Sequence, residues 1–183
     1  DLQVSLYEQF KEDKSCSVAI NHYTGEVLAL VSTPAYDNND FIMGLSSEQW
    51  TVLNEDENKP MYNRFRQVWC PGSTFKPITV RSAWNQGNRS NGRYGNVGLS
   101  WQKDASWGSY HVTTLHAYES VILENALIYS DNIYFAKVAL KIGSEEMESS
   151  LTGLGFNEEL PFEIKMAESQ YSNSEGIETE TQL

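Results

Sequence analysis

Apolar residues recur along the chain in two rhythms. Over residues 2–13, Leu2, Leu6 and Phe10 fall four apart with Val4 and Tyr7 beside them, which predicts an amphipathic helix. Two short runs, 15–20 and 26–31, are rich in aliphatic and β-branched residues and flank Asn21-His22-Tyr23-Thr24-Gly25. A glycine there can take the positive φ of a tight turn, so the pattern predicts a β-hairpin. Pro34 ends it, having no N–H to give to a ladder. Ser46 and Gln49 have the spacing of a capping box, which predicts a short helix to about Asn54. A further helix is predicted from about Ser73 to about Gln86. Pro77 is tolerable only near the start of that helix, because its ring crowds the carbonyl four residues back. The Gly- and Asn-rich stretch 87–98 reads as a loop. Helical patterns return over 119–128 and 130–142, the second made a buried element by Ile133, Phe135, Ala136, Val138, Ala139 and Leu140. Gly143 is placed to end it, and Ser144 is expected to cap the next helix.

This order of elements predicts an α+β chain in three stretches: a helix and hairpin over 1–34, a helical body over 35–156, and a tail over 157–183. The tail holds seven acids against one base, Lys165, which is half of the net charge of −12. It is read as solvated and loosely held. The whole chain, 183 residues with 40% apolar residues, 5 Trp, 10 Tyr and 7 Phe, is long enough to bury a core and too aromatic to be disordered. With 13 basic against 25 acidic residues it repels phosphate backbones and anionic lipid, so no nucleic acid partner is expected. No apolar run is long enough to span a membrane, and no secretory leader is visible. The chain begins at Asp1, so it is expected to be a piece of something longer, with any anchor outside it. Cys16 and Cys70 are too few for a disulfide framework or a four-ligand zinc site. They are read as free thiols, a single bridge between them being the alternative. His22, His111 and His116 lack metal-ligand spacing, so no metal or cofactor is expected.

Chemistry concentrates at Ser73-Thr74-Phe75-Lys76. Positions i and i+3 of a helix share a face, which makes the Ser73 hydroxyl and the Lys76 amine neighbours. Pro71-Gly72 places Ser73 in the first turn, where free N–H groups suit an oxygen gaining negative charge. A desolvated lysine can take the proton of a serine that is otherwise a poor nucleophile. Helix capping by Ser73 is the plainer alternative. Ser130-Asp131-Asn132 follows 57 residues later, a polar triplet between the apolar runs 126–129 and 133–136. Burial of such a triplet without partners would be costly. It can cap a helix starting at 131 or 132, and it can also supply Ser130 as a proton relay and Asn132 as an amide that holds a substrate carbonyl.

Ser-x-x-Lys followed by Ser-x-Asn resembles the penicillin-binding proteins and serine β-lactamases. The flanking text, Tyr62-Asn63-Arg64 through Pro77 and Thr24 through Pro34, is similar to the class B transpeptidases of cell-wall synthesis. The stretches 101–108 and 129–136 look like the low-affinity, methicillin-resistance type of Gram-positive bacteria. The resemblance implies the penicillin-binding protein/serine β-lactamase-like transpeptidase fold, and a D,D-transpeptidase in which Ser73 is the nucleophile, Lys76 the base, Ser130 the relay and Asn132 a substrate-binding residue. It implies peptidoglycan stem peptides as substrates, β-lactam antibiotics as acylating ligands, and a place on the extracellular face of the cell membrane. The family's third motif, Lys-Thr/Ser-Gly, does not occur in these residues. Truncation is the expected reason, leaving the hairpin as the remnant of a larger sheet. Poor activity of the isolated stretch, a Lys76 close to ordinary lysine behaviour, and self-association through the uncovered sheet are expected consequences. A β-lactam sensor domain, a serine β-lactamase and a bare interaction module are the alternatives. The second is disfavoured because no Glu after Asn132 has an Asn three or four residues on.

Overall fold

The computed structural model describes residues 1–85, 93–96 and 98–183, which divide into two compact units. The first comprises Asp1–Val68 with Leu160–Ala167. Its helix α1 (Leu2–Phe10) is capped by Asp1, whose carboxylate accepts the Gln3 N–H, and it stops earlier than the apolar spacing suggests. Strands β1 (Ser15–Ile20) and β2 (Val27–Thr33) form the expected antiparallel hairpin, with Ser17 opposite Val31 and Ala19 opposite Ala29. Gly25 takes φ +74° in its turn. One face of β2 buries Ala29, Val31 and Thr33, whereas Val18 and Leu28 remain about half exposed. Helix α2 (Asn38–Met43), capped by Asp37, was not signalled by periodicity because six residues hold less than two full turns. Helix α3 (Ser47–Glu55) starts on the expected capping box: the Gln49 N–H donates to Ser46 Oγ at 3.2 Å, and the Ser46 N–H donates to Gln49 Oε1 at 2.9 Å.

The second unit comprises Trp69–Glu159 with Glu168–Leu183. Its helices are α4 (Lys76–Asn85), α5 (Leu123–Ile128), α6 (Asn132–Ile142) and α7 (Ser144–Thr152). Between α4 and α5 lie the short strands β3 (Tyr94–Asn96), β4 (Ser100–Trp101), β5 (Val112–Thr113) and β6 (Tyr118–Val121). β3 pairs with β6 and β4 with β5, both antiparallel. The core gathers Ile133, Tyr134, Phe135, Val138, Ala139 and Ile142 of α6 against Val80 and Ala83 of α4 and Met147 and Leu151 of α7.

The structure departs from the sequence pattern in three places. The helix expected over 119–128 begins only at Leu123; the residues before it form β6, because Tyr94 of β3 offers a ladder partner to Val121. Of the loop expected over 87–98, residues 87–92 and 97 lie outside the described residues, and Tyr94–Asn96 is a strand. Ser144 does not cap α7: Gly143, at φ +78°, holds the cap position, and Ser144 is already the first helical residue. The acidic stretch 157–183 has no regular element beyond the 3-10 turn Glu180–Gln182, yet it buries Ile177 in the second unit's core and packs Tyr171 and Leu183 against it.

Candidate active site

Three short backbone devices build the site, all within the second unit. Gly72, at φ +56°, turns the chain into the 3-10 turn Gly72–Phe75, a conformation that an L side chain would resist. Ser73 therefore sits in a 3-10 turn rather than in the α-helix expected to start there, and α4 begins at Lys76. Pro77 supplies the reason. It has no N–H for the Ser73 carbonyl, which instead accepts the Lys76 N–H three residues on. The second device is Ser130, a non-glycine residue at φ +54°, which turns the chain sharply between α5 and α6. The Asp131 N–H then closes α5 on the Ala126 carbonyl at 2.9 Å. The third is Asp131, wholly buried, whose Oδ1 accepts the N–H groups of Ile133 at 2.8 Å and Tyr134 at 3.1 Å and so caps α6.

These devices bring the four expected residues together. Lys76 Nζ lies 3.0 Å from Ser73 Oγ, 2.7 Å from Ser130 Oγ, 2.8 Å from the Ser130 carbonyl oxygen and 2.7 Å from Asn132 Oδ1. Ser130 Oγ donates to Ser73 Oγ at 2.9 Å. Asn132 Nδ2 donates to the Thr113 carbonyl at 3.0 Å, which fixes which way round the amide lies and aims its oxygen at the lysine. Thr113 was not anticipated, since the partners are 19 residues apart and meet only through a two-residue strand.

The donors and acceptors around Lys76 set what this arrangement allows. The Ser130 carbonyl and Asn132 Oδ1 can only accept, so they engage two N–H bonds of Lys76. The nitrogen's remaining position faces the two hydroxyls. It can donate there as an ammonium, or accept a hydroxyl proton there as a neutral amine, with no other bond changed. Lys76 is only 9% exposed, and burial pushes its pKa below the ordinary lysine value, with the charge of Asp131 opposing that shift. Burial thus moves Lys76 in the direction that a base requires, and the centre of the Phe135 ring lies 5.6 Å from its nitrogen. Ser73 and Ser130 remain exposed, so a substrate can reach the hydroxyls while the base stays dry. The set has the parts of acyl transfer: a nucleophile, a base, a second hydroxyl to move the proton, and an amide with one Nδ2–H to spare.

Cys16 and Cys70 are free thiols, the latter exposed. Among the described residues, no group of three His, Cys, Asp or Glu side chains could hold a metal ion, and no helix is long and apolar enough to cross a membrane.

Comparison with known proteins gives a consistent set of relatives. The family described as penicillin-binding protein transpeptidase domain matches residues 15–182. Penicillin-binding protein 3 of Bacillus subtilis (strain 168) is 43% identical over 173 residues, covering 93% of this chain and 26% of that protein. Peptidoglycan D,D-transpeptidase MrdA of Acinetobacter baumannii is 31% identical over 183 residues, 96% of this chain and 25% of that protein. Penicillin-binding protein A from M. tuberculosis, solved as an imipenem acyl-enzyme complex, superposes with a TM-score of 0.76 at 25% identity, over 87% of this chain and 38% of that one. The chain thus spans about a quarter of the length of the curated relatives it matches.

Proposed function

The chain belongs to the penicillin-binding protein transpeptidase family, and on that premise we propose that it carries the acylating half of a peptidoglycan D,D-transpeptidase site. Ser73 Oγ attacks the carbonyl carbon of the penultimate D-Ala of a stem peptide while its proton passes to Lys76. The tetrahedral intermediate collapses, the C–N bond to the last D-Ala breaks, and Ser130 Oγ hands a proton to the departing amine and regains one from Lys76. The amine of a neighbouring stem peptide then attacks the acyl carbon, the bond from that carbon to Ser73 Oγ breaks, and the proton lost by the amine passes through Lys76 to Ser73 Oγ. Asn132, with its remaining Nδ2–H, holds the substrate carbonyl. β-Lactams acylate the same serine, as the imipenem acyl-enzyme of the M. tuberculosis relative suggests.

One observation carries this reading: Ser73 Oγ, Ser130 Oγ and Lys76 Nζ lie within 3.0 Å of one another. The relatives named D,D-transpeptidases favour it over a sensor domain or a β-lactamase. The finer assignment, to the low-affinity methicillin-resistance type on the outer face of the membrane, is supported by the text of 101–108 and 129–136, and a Lys-Thr/Ser-Gly elsewhere in a longer protein by the quarter-length coverage. Fluorescent-penicillin labelling of the full-length protein beside Ser73→Ala is the test. Labelling should be lost in the variant, and labelling that survives it would overturn the reading. The 183 residues alone should label far more slowly, and their half-exposed Val18 and Leu28 favour self-association, which sedimentation checks.

A further inference from the structure

We infer that Asp131 is a positioning residue that acts through Lys76, as the buried counter-charge of the site. The inference rests on the reading of Lys76 as the base. Capping explains only part of Asp131. Its Oδ1 serves both N–H groups at the start of α6, and an asparagine would cap as well. Its Oδ2 is also buried and has no hydrogen-bond partner among the described residues. A carboxylate with a bare buried oxygen is expensive for a role that an amide could fill. Its charge is answered instead by cations that do not touch it.

Two lysines supply that answer. Lys76 of α4 bonds the residues on both sides of Asp131, through the Ser130 carbonyl and hydroxyl and through Asn132 Oδ1. Lys137 lies further along α6, its ammonium 5.0 Å from the centre of the Trp101 ring. In each lysine burial lowers the pKa, and the charge of Asp131 works against it. Among the other charged or titratable groups described on these elements, Arg81 of α4, Glu124 of α5, and His111 and His116 flanking β5 are exposed, the Lys141 ammonium of α6 lies 4.9 Å from the centre of the Tyr94 ring, and Glu148 of α7 accepts the Ile177 N–H. One buried negative charge is thus shared by the base and by a rival cation.

Removing the negative charge disfavours the ammonium, so Lys76 becomes a neutral amine at lower pH. Removing Lys137 takes away a like charge that Asp131 also faces, so Lys76 holds its proton to higher pH. The test is the rate of acylation of the full-length protein by fluorescent penicillin from about pH 5 to about pH 10, for wild type, Asp131→Asn, Lys137→Gln and the Ser73→Ala blank, each checked by thermal melting. In Asp131→Asn the acidic limb should move down by about one pH unit, an approximately tenfold gain in rate below the limb. In Lys137→Gln it should move up. An Asp131→Asn profile that is unmoved, or lowered evenly at every pH, means a cap and nothing more, and overturns the inference. If that variant melts before assay, Lys137→Gln decides alone, and a limb that stays or falls overturns it. Labelling of Ser73→Ala at the wild-type rate would sink the reading of the site itself, whereas Ser73-dependent labelling with an unmoved limb sinks only the role of Asp131.

Discussion

The two units of this chain are held by different forces, and the chemistry sits in only one of them. The second unit is built on a continuous apolar core in which Ile133, Tyr134 and Phe135 follow Asn132 directly and are all buried. Three consecutive buried side chains leave the first turn of α6 no freedom to rotate, so Asn132 and the Ser130 turn before it are held rigidly. Among the described residues of the first unit, Ala29, Val31 and Pro60 are the buried apolar side chains, and much of the work falls to polar links. The Arg64 guanidinium, itself buried, donates to the carbonyls of Asn58 at 2.6 Å, Tyr62 at 3.2 Å and Lys59 at 3.3 Å. Gln3 Oε1 accepts the Leu30 N–H of β2, and Lys14 Nζ donates to the Glu57 carbonyl. Polar links of this kind each add about 1 kcal/mol net and tolerate local movement, whereas a close-packed core transmits strain. Catalytic distances near 3 Å need the second kind of support.

Four substitutions test that contrast, from the largest expected effect to the smallest. Lys76→Met keeps much of the side chain's volume but removes the base, and should lower penicillin acylation of the full-length protein by about 10²–10⁴ while leaving its thermal melt in place. Ile133→Ala opens a cavity beneath the site and should cost about 2–5 kcal/mol in urea unfolding, with acylation falling as the Ser130 turn loosens. Arg64→Met removes three guanidinium hydrogen bonds in the first unit, although the Lys59 carbonyl keeps the Tyr62 N–H and the Tyr62 carbonyl keeps the Ser32 hydroxyl. It should cost about 1–3 kcal/mol and speed amide exchange around 58–67, yet leave acylation within about twofold. Val18→Thr, on the half-exposed face of the hairpin, should fall within about 0.5 kcal/mol of wild type. An Arg64 variant that slowed acylation as much as the Ile133 variant would break the contrast, because the first unit would then be supporting the site too.

What could be read in advance was local. The Ser46–Gln49 capping box, the hairpin with its positive-φ Gly25, the turn ahead of Ser73 and the cap at Asp131 depend on residues no more than a few positions apart, where residue type decides backbone conformation directly. The errors had the same origin. Over 119–121 a helical rhythm was outweighed by a ladder partner at Tyr94, and at 143–144 the glycine rather than the serine took the cap. The family text added which local features belong together.

By itself, then, the sequence determined the caps, the hairpin and the chemical kinds of group in the site: a hydroxyl and an amine three positions apart, and a second hydroxyl and an amide further on. Tertiary structure alone decided that these groups meet. Ser130 reaches Ser73 across 57 residues, Thr113 pins Asn132 from a two-residue strand, and helices α4 and α6 exclude water from Lys76. None of this follows from local propensity, because closing such loops costs chain entropy that only the apolar packing around α6 offsets. The lysine's lowered proton affinity comes from that same burial, and burial is a property of the assembled core.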